Sequence, residues 1–329
     1  MATYYVATTG NNSNPGTIGS PFLTIAKGLS VMVAGDTLDI RTGTYNESIN
    51  SNNQTIPTGT SWSNAPLITA HTGETVTIRN VGAVHSYVKY VIFQNIVIDG
   101  LTTEEEVVSI NNGANHVRFT GCEIKNANRQ GVHCAHAADG YNEFINCNVH
   151  NNGTTQNLDH GFYIGSTNNL VEGCLIHDNA AFGLQIYNGY GERADNNTVR
   201  GNKVYNNSTL GTGSGIALTS GTGNLAYNNI IYGHQLYGID VSFGSPSNTG
   251  VYNNTVYNNG GGIRVGSDSS GAVVKNNIVY SSGGITNNGS GTIMSNNLTA
   301  DPSFVDAPGG NFHLTAASTN AIDQGVVIN

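Results

Sequence analysis

Apolar and polar residues alternate along most of the chain in short runs, with a period of two and never longer than a few residues. Runs such as "GVHC", "GFYI", "GLQI", "GIAL", "GIDV" and "GIRV" begin at Gly131, Gly161, Gly183, Gly215, Gly238 and Gly262. A period of two puts successive side chains on opposite faces of a strand. No segment beyond Ile25 to Val33 reads as a helix, so the crossover helices of a βαβ fold are missing.

A second family of runs interleaves with the first. "FQNIVI", "TGCEIKN", "INCNVHN", "EGCLIHD", "RGNKVYN", "YNNIIYG", "YNNTVYN", "KNNIVYS" and "SNNLTA" align on their third residue, giving Asn95, Cys122, Cys147, Cys174, Asn202, Asn229, Asn254, Asn277 and Asn297. The intervals are 27, 25, 27, 28, 27, 25, 23 and 20 residues. A chain that returns to the same strand about every 25 residues without helices winds as a coil, and repeats of this length signal a solenoid. The prediction is an all-β, right-handed, three-faced parallel β-helix forming a single domain. Residues 1–50 would make the N-terminal cap and first coil, 51–297 the stacked coils and 298–329 the C-terminal cap.

Composition agrees with this reading. The 329 residues include 47 Asn and 43 Gly, both poor helix formers and both favoured in turns. Stacked Asn side chains are expected to bond from coil to coil and to satisfy turn backbone groups. Cys122, Cys147 and Cys174 occupy equivalent positions and Cys134 points inward, which predicts buried thiols rather than disulfides or a metal site. The net charge of −9, with only 12 Lys and Arg, argues against nucleic acid. No apolar run reaches the roughly 18 residues of a membrane span. No basic segment followed by an apolar core marks a signal peptide, so secretion stays open on sequence alone. The chain is expected to be a monomer.

The segments "TGNNSNPGT", "PFLTIAKGL" and "AGDTLDIRTGTYNE", with "DPSFVDAPGGNFHL" and "AIDQG" at the other end, resemble the caps of the pectate-lyase-like superfamily, notably polysaccharide lyase families 9 and 6. The resemblance implies the β-helix fold, an extracellular location and activity on acidic polysaccharide. It also implies that the "GΦxΦ" strands carry the cleft. The Asp-rich calcium cluster and Lys base of family 9 have no counterpart, since "DDG" is absent and no Lys lies on these strands. The expectation is therefore no cofactor, with calcium left open.

On the "GΦxΦ" strands the second and fourth residues point inward and the third outward. The outward column reads His133, Tyr163, Gln185, Ala217, Asp240, Arg264, and the next reads Ala135, Gly165, Tyr187, Thr219, Ser242, Gly266. Six of the ten His (116, 133, 136, 150, 160 and 177) fall within 62 residues, which repetition does not require.

β-Elimination from a uronate needs a base, a group that stabilises the carbanion and an acid for the leaving oxygen. Free His titrates near 6.5 and Tyr near 10. His133 is the candidate base, His160 the alternative base and Tyr163 the acid. Arg129, Asp159, Gln185, Tyr187, Tyr190 and Arg193 are the candidate substrate-binding residues. His150 and His177 align with Tyr205, Tyr232, Tyr257 and Tyr280 and are expected to stack. Asp240 with Arg264 reads as a solvated surface pair, and Glu104-Glu105-Glu106 as a solvated turn.

Three functions compete: a polysaccharide lyase, with C5-epimerisation as its near relative; a glycoside hydrolase; and a non-catalytic glycan-binding or adhesin-type β-helix.

Overall fold

The computed structural model describes residues 1–50, 55–79, 88–101, 106–189 and 191–328. Its strands stack coil upon coil into three long sheets of twelve, ten and eight strands, every pairing within them parallel. The result is a right-handed parallel β-helix with very little helix. A coil in the middle of the stack contributes one strand to the twelve-stranded sheet, turns into the ten-stranded sheet, and returns through the eight-stranded sheet. In one coil these are Leu170–Glu172, Leu175–His177 and Leu184–Ile186.

From Val97 to Lys275, the middle residue of each three-residue strand in the first two sheets faces the core. Phe119 stacks on Phe93 at 4.8 Å and on Phe144 at 5.5 Å, and Phe162 meets Phe144 edge-on. These rings sit beneath the coils that carry the clustered histidines. Ile124, Val149, Ile176 and Val204 form the matching buried column of the ten-stranded sheet.

The register is as expected except at its first member. Val97 pairs with Glu123, so Ile96 rather than Asn95 stands in the column of Cys122. Asn95 belongs one position earlier, with Gly121, Asn146, Gly173, Gly201, Asn228, Asn253, Asn276 and Asn296, all at φ between 53° and 65°. Only Gly and Asn enter that left-handed region readily, which is why the two residues alternate there.

Asn ladders run along all three turns rather than one. In the first, Asn202 donates from its backbone N–H and Nδ2 to Asn229 Oδ1 at 3.0 and 2.9 Å, and Nδ2 also donates to the Val171 carbonyl. The second links Asn152, Asn179 and Asn207, and the third Asn142, Asn169, Asn197 and Asn224. The cysteines continue the first ladder as free, buried thiols, with Cys174 accepting the Cys147 N–H at Sγ. Burial pushes the Cys122 and Cys134 thiols well up, leaving them protonated and unreactive.

The helix covers Ile25–Val31, two residues shorter than predicted, because Asp36 captures the Val33 N–H and draws the chain away. Thr24 caps its N-terminus, and Glu47 takes the Ile25 and Ala26 N–H groups. At the other end, an antiparallel hairpin of Phe304–Asp306 and Asn311–Leu314 lays Phe304 and Phe312 over Tyr232 and Tyr257. The outward ladder His150, His177, Tyr205, Tyr232 is stacked at 4.7–5.3 Å, so these rings pack on one another. No helix among the described residues is long and apolar enough to cross a membrane.

Candidate functional site

The eight-stranded sheet places the outward column in the predicted order. His133 pairs with Tyr163, Tyr163 with Gln185, Gln185 with Ala217, Ala217 with Asp240 and Asp240 with Arg264. Tight stacking demands glycine where these strands start. A Cβ on Gly131, Gly161, Gly183 or Gly215 would lie 2.6–2.8 Å from the carbonyl oxygen of the next coil's glycine. The sheet thus brings each outward side chain about 4.8 Å from its equivalent in the neighbouring coil.

Four of the clustered histidines are used elsewhere. His116 stacks between Tyr90 and Tyr141, His150 stacks on His177, and His136 pairs with Glu192. His133 and His160 line one open groove of about 490 Å³ together with Glu106, Arg129, Tyr163 and Tyr187. Its wall is completed by Gln130, Asn157, Leu158, Gln185 and Phe243.

At the floor, the His133 ring meets Tyr163 edge-on at 5.2 Å. His133 Nδ1 lies 3.6 Å from Glu106 Oε1, and Arg129 Nη1 lies 3.9 Å from the same oxygen. Glu106 is therefore part of the groove and not a solvated turn; Glu104 and Glu105 lie outside the described residues. The signal for Glu106 was present in the sequence. "VVSI" is an additional "GΦxΦ"-type strand without its glycine: Val108 pairs with Val132 and Ser109 with His133.

Two predicted roles change with burial. His160 is 2% exposed, its Nδ1 accepts the Phe182 N–H, and burial lowers its pKa to about 3 although the bond to Gln185 opposes this. Such a group is a poor proton acceptor at neutral pH. It lies parallel to the Tyr163 ring at 5.9 Å and packs beside it. Asp159 is 1% exposed, and its carboxylate accepts the Thr154 and Thr155 N–H groups at 2.9 and 2.6 Å. It shapes the 151–160 loop and is not among the residues that line the groove.

Gln185 is buried at the groove floor against His160, and Tyr187 stands between this groove and an adjoining hollow. Arg193 lines that hollow instead, pairing with Asp195 at 2.8 Å. Tyr190 lies outside the described residues. Asp240 and Arg264 make a bidentate pair at 2.8 and 2.5 Å over Tyr237, and Asp240 is buried rather than solvated.

Sequence reading also missed Gln130. Its Nε2 donates to the Leu158 carbonyl, which fixes the amide's orientation, while the buried Oε1 has no partner. A buried acceptor of this kind is costly unless something supplies a donor. Among the described residues no group of three or more His, Cys, Asp or Glu converges as metal ligands would. Of the described carboxylates here, Glu106 faces His133 and Arg129, and Asp159 accepts loop amides.

Comparison with known proteins agrees with this architecture. The family described as "Pel9A-like, right handed beta helix region" matches residues 4–159, and "Right handed beta helix region" matches residues 155–299. The chain is a pectate-lyase-like right-handed β-helix. Among solved structures it is similar to the pectate lyase Pel9A, with a TM-score of 0.76 at 16% identity over 97% of this chain and 90% of that one. The A-module of the Azotobacter vinelandii mannuronan C-5 epimerase AlgE4 gives 0.52 at 14% identity, covering 80% of each chain. The GH136 lacto-N-biosidase from Eubacterium ramulus gives 0.56 at 14% identity, over 87% of this chain and 57% of that one. No curated protein sequence matches the chain significantly.

Proposed function

We propose that the protein is a polysaccharide lyase that cleaves an acidic, uronate-containing glycan by β-elimination. The observation that carries this reading is the convergence of His133, Tyr163, Glu106 and Arg129 on one open groove. Glu106 faces Nδ1 of His133, which favours the proton on that nitrogen and leaves Nε2 as the acceptor. Nε2 takes the proton from C5, α to the carboxylate. Arg129 pairs with that carboxylate and stabilises the charge that develops on it. The C4–O4 bond then breaks, Tyr163 protonates the leaving oxygen, and a C4=C5 double bond remains on the new non-reducing end.

Hydrolysis is supported less well. It uses two carboxylates about 5–9.5 Å apart, whereas Glu106 is the one carboxylate lining this groove among the described residues. Structural likeness to a pectate lyase and a mannuronan epimerase fits proton abstraction at C5 as the shared step. The same reading places the protein outside the cell, where such polymers lie. The test is incubation with pectate, alginate and glucuronan while ultraviolet absorbance and reducing ends are followed. Rising absorbance supports the lyase, and reducing ends without absorbance overturn it.

A further inference from the structure

Phe243 is the feature of the groove that packing does not explain. Its backbone has φ 92°, a region bulky side chains rarely adopt, and its side chain is 73% exposed. The core neither buries this ring nor needs it. Residues held in such conformations persist where the surroundings over-determine them, and they cluster at ligand clamps. The ring leans back across two coils to Tyr187, with centroids 5.6 Å apart and planes at 54°. Both rings line the groove that holds His133.

We propose that Phe243 and Tyr187 form a notch that grips one pyranose ring of the polymer. A pyranose presents a flat face of C–H groups, which packs on an aromatic ring, and a rim of hydroxyls, which suits the polar side chains lining the same groove. A purely apolar ligand would meet the charged Glu106 and Arg129 in the same groove, and a small anion would leave Phe243 in water. The site binds sugar beyond the residue being cleaved, so it confers a preference for chains over short fragments. This inference rests on the reading of the groove as a polysaccharide site, but not on the reaction carried out there.

The experiment uses the full chain carrying His133→Ala, so that binding is read without turnover, and measures retardation in gels containing pectate, alginate or glucuronan. Phe243→Gly added to that background should weaken binding of the retarding polymer at least tenfold and leave the melting temperature equal or higher, because glycine accepts φ 92° without strain. Phe243→Trp should retain binding and change its fluorescence when polymer is added. Equal binding by the Phe243→Gly and parent proteins would overturn the proposal, as would a lowered melting temperature with binding intact. Failure of the parent to bind any of the three polymers would overturn it as well. Binding through Phe243 in a protein whose wild type cleaves nothing would sustain the notch and sink the lyase.

Discussion

His133 and Glu106 come from adjacent coils, and their facing atoms, Nδ1 and Oε1, lie 3.6 Å apart. In the proposed mechanism this carboxylate favours the proton on Nδ1 and leaves Nε2 for the substrate. Glu106→Gln should therefore lower kcat about tenfold or more with little change in KM, while His133→Ala removes the base and costs about 10²–10⁴ in rate. A merely structural Glu106 would lower the melting temperature along with kcat, whereas one that orients His133 lowers kcat with the melting temperature unchanged.

Tyr163→Phe keeps the ring that packs against His133 and His160 and deletes only the hydroxyl. The expected result is a loss of kcat of at least a hundredfold with polymer affinity and melting temperature nearly unchanged. Wild-type turnover in this variant would remove Tyr163 from the acid role.

The strand register and the column His133–Tyr163–Gln185 were legible because a period of two admits a single facing, and repeated units fix which coil stands beside which. Burial was not legible. Asp159 and His160 read as polar loop residues, yet the loop folds them inward, where Thr154, Thr155 and Phe182 use their side chains. Glu106 was hidden because its strand lacks the leading glycine. Asn95 was misplaced by one because Asn serves both the left-handed turn and the adjoining ladder, and sequence alone does not separate the two.

His234 takes the place of an Asn in the second ladder. Its Nε2 accepts from Asn207 and its Nδ1 faces Asn259 Oδ1 at 2.8 Å. Burial lowers its pKa to about 4, and that of His160 to about 3. In the unfolded chain both titrate near 6.5. Below that value the unfolded state binds protons that the folded state refuses, so stability is full above about pH 6.5 and falls on acidification toward pH 4. Each group adds a slope of up to about 1.4 kcal/mol per pH unit. His234→Asn should fold and flatten this slope, as read from melting temperatures between pH 7 and 4.

Asn229 Oδ1 receives the Asn202 N–H and Nδ2, and Asn229 Nδ2 donates to the Val199 carbonyl. Asn229→Ala should cost about 1–3 kcal/mol for each buried group left unpaired. Asn202→Cys should cost less, since Cys174 already accepts a backbone N–H in the same column. Denaturant midpoints of the two variants give the comparison.

A chain of net charge −9 repels a polyanion at long range. Raising the ionic strength from about 0.01 to 0.15 M shortens the Debye length from about 30 to 8 Å, so KM for a uronate polymer should fall over that range. A rise in KM would mean that local cations such as Arg129 dominate the encounter.

The most direct measurement is a time course of ultraviolet absorbance with wild type and His133→Ala on pectate, alginate and glucuronan, with reducing ends counted in parallel. The account predicts that wild type generates absorbance and reducing ends in step on at least one polymer and that His133→Ala generates neither. Reducing ends without absorbance, or equal absorbance growth from the variant, would contradict it.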